Sequence, residues 1–89
     1  MDLSIFLKDR RIKAGLSQAD VAKKLGYTSS QFISNWERGL SKPPVATLRK
    51  LADLYGVSLN EIFDVVLQNT IEEVKADFKE KFFKQGNGK

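Results

Sequence analysis

Side chains that can both donate and accept hydrogen bonds are concentrated between Thr28 and Glu37. This segment contains three serines, one glutamine (Gln31) and one asparagine (Asn35), and it has no lysine or arginine. An amide side chain can donate to one atom and accept from its neighbour, which matches the N7 acceptor and the N6 amine at the edge of adenine. The chemistry that this segment offers is directional hydrogen bonding to a polar partner.

The composition leaves little other chemistry open. The 89 residues include no cysteine and no histidine, which removes disulfides, thiolate metal sites and the commonest general base. We therefore expect no catalytic activity, no metal and no cofactor. The formal net charge is +4 and uneven: residues 1–56 hold ten Lys and Arg against five acids, whereas residues 57–89 hold five against six. A polyanionic partner is expected to bind the first part of the chain.

The elements that must position the polar segment are short helices. Apolar residues recur at spacings of three and four, and capping residues, glycines and prolines mark the ends. Ser17 and Asp20 form the sequence pattern of a capping box, and Gly26 is expected to end the helix that they begin. The pattern predicts an all-α fold with helices at about 3–14, 17–26, 28–38 and 44–55 and a fifth opened by a second capping-box pattern at Ser58 and Glu61.

The region from Gly15 to Gly39 thus contains two short helices joined by a tight turn, and the second helix is polar on its outer face. This is the layout of a helix-turn-helix, with the motif at about residues 18–38, and it predicts binding to DNA. In such a motif the second helix, called the recognition helix, reaches base edges in the major groove with its amino-terminal residues.

Small, apolar and capping residues agree with one family pattern across all five predicted helices. They are Leu7, Arg11, Gly15, Leu16, Ser17, Gln18, Val21, Ala22, Leu25, Gly26, Ile33, Ser34, Asn35, Trp36, Glu37, Arg38, Gly39, Pro44, Leu48, Leu51, Ala52, Gly56, Val57 and Ser58. In these positions the chain resembles the Cro and CI-like, or XRE-type, helix-turn-helix repressors of phages and bacteria, over about residues 7–63. The resemblance implies a compact five-helix, repressor-like domain that binds operator DNA as a dimer.

One spacing departs from the family pattern. Ile33 follows Gly26 by seven residues, where the family has six, so the turn is one residue longer. We align the recognition helix from Ile33, Trp36 and Glu37, because an extra residue is most easily accommodated in a turn. This alignment places the base contacts at Ser30, Gln31, Ser34 and Asn35.

The predicted base contacts favour adenine and thymine. Gln31 is expected to discriminate by roughly 1–3 kcal/mol through a bidentate pair with adenine. Because the segment lacks lysine and arginine, the commonest guanine contact is missing, and we predict A·T pairs at the key operator positions. The role of Phe32 has two interpretations: its side chain contacts a thymine methyl group, or it packs within the protein.

The resemblance also implies which residues hold the DNA backbone. Gln18 lies at the start of the second helix, where the family's glutamine binds phosphate, and Lys42 lies in the loop after the recognition helix, which forms a second phosphate clamp. The predicted phosphate contacts are Gln18, Ser29, Arg38, Ser41 and Lys42. Solvated surface charge is the simpler interpretation for each of Arg10, Lys13, Lys23 and Arg38 taken alone.

Four residues are expected to hold the recognition helix in place rather than to touch DNA. The spacing of Trp36 from Ile33 puts both on or beside the packed face, so a core position explains the tryptophan better than base stacking does. Arg11 and Glu37 match an ion pair that the family forms between its first and third helices.

The last third of the chain predicts an amphipathic helix of roughly five turns. Its apolar residues alternate four and three apart between charged ones: Leu67, Ile71, Val74, Phe78 and Phe82. This stripe needs a partner, which is either the rest of the same chain or a second subunit. We favour a homodimer because symmetric pairs are the commonest oligomers. The chain is thus divided into a DNA-binding domain (1–64) and a dimerisation helix with a tail (65–89).

These features predict a sequence-specific transcriptional regulator, in the first instance a repressor, that binds a pseudo-palindromic double-stranded operator as a dimer. The two recognition helices would enter successive major grooves about 34 Å apart. The alternative is a protein-interaction module, antitoxin-like or the target of an antirepressor, whose C-terminal helix binds another protein. The chain leaves no room for a small-molecule or peptidase domain, so regulation is expected through protein level, a regulatory protein partner or the C-terminal helix.

No contact with membranes is expected. The N-terminus lacks the pattern of a secretory signal, no apolar run has the length of a membrane span, and acidic residues interrupt the C-terminal helix. We predict a cytoplasmic, nucleoid-associated protein of a bacterial or phage-infected cell.

Overall fold

The computed structural model describes the backbone of residues 2–88 and the side chains of residues 2–84. Five α-helices follow one another: α1 (Leu3–Lys13), α2 (Gln18–Leu25), α3 (Gln31–Glu37), α4 (Val45–Tyr55) and α5 (Leu59–Gly88). No strand occurs among residues 2–88. The predicted all-α fold is confirmed.

The ends of α2 form as the sequence predicts. Ser17 Oγ accepts a hydrogen bond from the backbone N–H of Asp20 (2.9 Å), and the Asp20 carboxylate accepts one from the backbone N–H of Ser17 (2.9 Å), so the capping box is complete. Gly26 ends the helix with a φ of 82°, in the left-handed region that glycine adopts at little cost. The length of α2 is therefore set by residues next to it in the chain.

The capping box makes the stability of the protein depend on pH. The hydrogen bonds from Ser17 hold the pKa of Asp20 below its ordinary value, so the carboxylate stabilises the fold above about pH 4 and loses this effect as the pH falls through the native pKa. We expect Asp20→Ala to lower the urea midpoint at pH 7 and to lower it less at pH 3. Asp53→Ala, at an exposed aspartate of α4, is the control. A deficit for Asp20→Ala that is the same at both pH values would contradict the prediction.

The predicted capping box of α5 is only half formed. Ser58 Oγ accepts from the backbone N–H of Glu61 (3.0 Å), as expected. The Glu61 carboxylate instead accepts a hydrogen bond from Arg10 of α1 (2.7 Å), and Arg10 also lies 5.2 Å from the centre of the Phe6 ring. Arg10 is therefore not merely a solvated charge, because it links α1 to the start of α5.

One hydrophobic core joins all five helices. Its most completely buried large side chains, Leu7, Val21, Ile33 and Leu51, come from α1, α2, α3 and α4 respectively, and Ile62 of α5 is buried with them. α1 packs against α3, α4 and α5, and α2 packs against α3. The inner face of α3 is thereby fixed, and its opposite face is left at the surface.

α5 is one continuous helix of 30 residues, about 45 Å long. The predicted fifth helix and the predicted C-terminal helix are joined in it, since no glycine or proline interrupts residues 59–85. Its first turns add Val65 and Val66 to the packing against the core, whereas all side chains of residues 72–84 are exposed. The described part of the chain is therefore elongated, with extents of 52 × 27 × 20 Å.

Within the described residues, none of these helices has both the length and the apolar character that a membrane-spanning helix requires.

Candidate nucleic-acid interface

Residues 26–30 form the turn between α2 and α3. The backbone N–H of Tyr27 donates to the carbonyl oxygen of Ala22 (2.9 Å) and closes the end of α2. At the other end, Ser30 occupies the N-cap position of α3 without a side-chain cap, and Ser29 Oγ instead accepts from the backbone N–H of Gln31 (3.3 Å). α3 thus begins at Gln31, which is exposed.

The outer face of α3 carries two amide side chains in contact with each other. Gln31 Nε2 donates to Asn35 Oδ1 at 2.9 Å, one helical turn along. Gln31 is exposed and Asn35 is half-buried. A glutamine amide has two N–H donors and one acceptor, so Gln31 keeps a donor and an acceptor for a partner after this contact. Asn35 keeps its own N–H donors, and Ser30 and Ser34 lie half-buried beside them.

Phe32 lies at the edge of this face and is 56% exposed. Its ring centre is 5.1 Å from that of Tyr27 and 6.4 Å from that of Trp36, and Trp36 itself is buried in the core. Packing against these neighbours accounts for part of the Phe32 side chain, and the rest faces solvent.

A buried ion pair joins α3 to α1. Arg11 Nε and Nη2 donate to the two carboxylate oxygens of Glu37 at 2.7 and 3.0 Å, and the side chains are 10% and 3% exposed. Arg11 Nη1 also donates to the carbonyl oxygen of Leu16 (2.9 Å). The hydrogen bond to Glu37 raises the pKa of Arg11, so the guanidinium keeps its positive charge although it is buried. The ion pair that the family resemblance implies is present.

Gln18 belongs to the same network. Its Nε2 donates to Glu37 Oε1 at 3.0 Å, an interaction that the sequence did not predict. Tyr55 of α4 lies against this group, and burial raises its pKa, with the charge of Glu37 adding to the effect. Glu37 therefore receives donors from α1 and α2 at once, which fixes the end of α3 relative to both helices.

The loop after α3 holds the other predicted phosphate contacts. Arg38 and Ser41 are exposed. Lys42 forms an ion pair with Glu73 of α5. No sequence signal pointed to Glu73 as a partner, because 31 residues separate the two positions.

The predicted site residues therefore fall into separate groups in space. The amides of α3 form one surface, and the ion pair that holds α3 lies behind it in the core. The predicted dimerisation residues lie apart on α5, where Val74, Phe78 and Phe82 are 62%, 67% and 63% exposed. Within the described residues, no group of three or more acidic, histidine or cysteine side chains could hold a metal ion.

The five-helix fold and the polar outer face of α3 are those of a helix-turn-helix protein. The helix-turn-helix family profile matches residues 7–62. The chain belongs to the XRE-type, Cro/CI-like helix-turn-helix family of DNA-binding transcriptional regulators, as its sequence predicts. Members of this family are non-enzymatic.

Individual relatives are regulators by name. The chain is 29% identical over 73 residues to the cryptic phage CTXphi transcriptional repressor RstR of Vibrio cholerae, covering 82% of this chain and 65% of the relative. It is 43% identical over 58 residues to the regulator ImmR of Bacillus subtilis (65% and 45%) and 42% identical over 57 residues to the regulator PuuR of Escherichia coli (64% and 30%). The matched part thus spans about a third to two thirds of these relatives.

Proposed function

We propose that the protein is a sequence-specific transcriptional repressor that binds a pseudo-palindromic operator as a homodimer, with α3 in the major groove. One observation carries the proposal: the hydrogen-bonded amides of exposed Gln31 and half-buried Asn35 lie on a short helix whose opposite end is fixed by the buried Glu37 carboxylate. Polar groups held on a rigid element are suited to reading a fixed pattern of donors and acceptors.

Base contacts are assigned to Ser30, Gln31, Ser34 and Asn35. Gln31 has the donor and acceptor needed for a bidentate contact with adenine, and its bond to Asn35 orients both amides before DNA binds. With no lysine or arginine between residues 28 and 37, A·T pairs are proposed for the positions under α3.

Phosphate contacts are assigned to Gln18, Ser29, Arg38, Ser41 and Lys42. Gln18 Nε2 keeps one N–H beyond its bond to Glu37, at the start of α2 where backbone N–H groups favour an anion. The exposed hydroxyl of Ser29 accepts from Gln31 and keeps its own hydrogen to donate. These groups come from the chain before and after α3, so they would set its position in the groove.

Dimerisation is assigned to the apolar stripe of α5, formed by Leu67, Ile71, Val74, Phe78 and Phe82. The single chain does not cover this stripe, since its last three members are more than 60% exposed. An uncovered apolar stripe of this length favours a partner surface, and a second copy supplies a matching one. On this proposal residues 1–64 bind DNA and residues 65–89 join the subunits.

Repression follows from occupation of promoter DNA. The Vibrio cholerae relative is named a repressor, and the same outcome is proposed for this chain, acting on DNA in a bacterial or phage-infected cell.

Selection of bound sequences from a pool of random duplexes tests the proposal. We expect a palindrome with A·T pairs at the positions read by α3. Gln31→Ala should weaken binding to the selected operator by about tenfold or more and relax specificity at one position, because one good bidentate contact is worth roughly 1–3 kcal/mol. Gln68→Ala, at an exposed glutamine of α5, serves as the matched control. A pool that emerges without any preferred sequence would reject the repressor and favour the protein-interaction module.

A further inference from the structure

The lysine proposed to clamp phosphate already has an anionic partner in the free protein. Lys42 Nζ donates to Oε1 of Glu73 on α5. The side chains of Lys42 and Glu73 are 47% and 54% exposed, so the pair lies at the surface. A phosphate group arriving from solvent can reach the lysine and displace the carboxylate.

The Glu73 carboxylate is held in place from its other side. Asn69 Nδ2 donates to Glu73 Oε2 (3.1 Å), and Asn69 Oδ1 accepts from the backbone N–H of Leu3 (3.0 Å). The three elements meet at a cleft of about 260 Å³ lined by residues of the α1 start, the loop after α3 and α5. Asn69 therefore fixes one carboxylate oxygen and leaves the other directed at Lys42.

We propose that Glu73 acts as an intramolecular substitute for a DNA phosphate. In the free protein it neutralises Lys42, and DNA must displace it, so α5 lowers the affinity for DNA of any sequence. The inference rests on the proposed function, because it requires Lys42 to contact phosphate. Asn69 is the positioning residue, since it donates to Glu73 and is itself held by the backbone N–H of Leu3.

Electrostatics favours a Glu73 carboxylate that competes with DNA phosphate for Lys42 over one that assists DNA binding. A carboxylate that stays beside Lys42 in the complex also lies beside the bound phosphate and repels it. Surface ion pairs contribute little to folding, so the contact can open without loss of the fold. DNA must break the ion pair before Lys42 can neutralise a phosphate, so the cost of opening the pair is subtracted from the binding free energy.

Removal of the carboxylate charge tests the proposal. The full chain is titrated with a labelled random-sequence 30-base-pair duplex, and fluorescence anisotropy is followed from 50 to 300 mM salt. We expect Glu73→Gln to bind about fivefold more tightly at 0.1 M salt for each subunit in contact, which is the upper range for a surface ion pair. The gain should shrink as the salt concentration rises, because salt screens the ion pair that Glu73 forms with Lys42 in the free parent protein.

Glu72→Gln is the matched control. It makes the same change in net charge at the neighbouring exposed position of α5, without a contact to Lys42. Its effect should stay below about twofold, because charges away from the contact are screened over about 10 Å at 0.1 M salt. Glu73→Ala should reproduce the gain of Glu73→Gln, and the urea midpoints of all three variants should stay close to that of the parent protein.

A double-mutant cycle identifies Lys42 as the group released. Lys42→Ala alone should weaken binding to all duplexes alike, and in that background Glu73→Gln should gain no more than Glu72→Gln does. Equal effects of Glu73→Gln and Glu72→Gln, weaker binding by Glu73→Gln, or a gain that persists without Lys42 would each overturn the inference. A parent protein that binds no duplex at any of these salt concentrations would reject the proposed function itself.

Discussion

Glu37→Ala is expected to lower the free energy of unfolding by about 3 kcal/mol, because removing one partner of a buried ion pair leaves the other charge uncompensated. The Arg11 side chain is only 10% exposed, so water cannot replace the two hydrogen bonds that it loses. Gln18 loses its acceptor as well. Small domains have a total stability of about 5–15 kcal/mol, so a substantial share is removed. Urea denaturation followed by the fluorescence of Trp36 measures the change.

Two further variants test whether the loss of stability comes from the buried, uncompensated charge of Arg11 rather than from the loss of any ion pair. The double variant Arg11→Met with Glu37→Leu should recover most of the loss, because apolar side chains of similar volume avoid the buried charge. Glu80→Ala breaks the exposed pair between Glu80 and Lys84 and should cost less than about 0.5 kcal/mol. A loss below about 1 kcal/mol for Glu37→Ala would show that the pair does not hold α3 in place.

Phe78→Glu is expected to convert a dimer into a monomer and to reduce operator affinity by about 100-fold or more. The residue lies between Val74 and Phe82 in the apolar stripe of α5 and is 67% exposed in the single chain. In a dimer joined along this stripe each glutamate would be buried in an apolar interface, at a high desolvation cost. A monomer engages one half-site and loses the gain that comes from linking two binding units, which is about 10²–10⁴. Light scattering and operator titration measure the two effects.

Ala76→Glu introduces the same residue on the opposite side of the same helix. Positions 76 and 78 lie about 200° apart around α5, and Ala76 is exposed. This variant should keep both the parent mass and the parent affinity. A parent protein that is monomeric at the concentrations used for operator binding would contradict the dimer, and so would an unchanged mass for Phe78→Glu.

The position of α3 and of the loop after it depends on contacts with the first two helices and with α5. α3 is oriented by Glu37, which is fixed from α1 and α2, and the loop that follows α3 touches α5 through Lys42 and Glu73. Changes along α5 can therefore reach the proposed DNA contacts in two ways, through the spacing of the subunits in the proposed dimer and through the charge beside Lys42. The two experiments on Phe78 and Glu73 separate these routes, because only the first alters mass.

The sequence by itself determined the helices and the family. The capping box of Ser17 and Asp20 and the glycine at position 26 act within a few residues, so the chain needs no distant partner to set the ends of α2. Apolar spacing likewise identified the buried faces that contain Leu7, Ile33 and Leu51. These local and periodic signals also carry the family pattern, which is why it could be recognised before the fold was known.

Only the tertiary structure decided the partners of Glu61 and Lys42. Glu61 was expected to close a capping box but pairs with Arg10, and Lys42 was expected to be free for phosphate but pairs with Glu73. The partners are 51 and 31 residues apart. A charged side chain has several possible partners of similar energy, and the packing of α1 and of the loop after α3 against the long α5 selects among them. Local preference fixes where a helix begins, whereas the choice of an ion pair depends on which surfaces the folded core brings together.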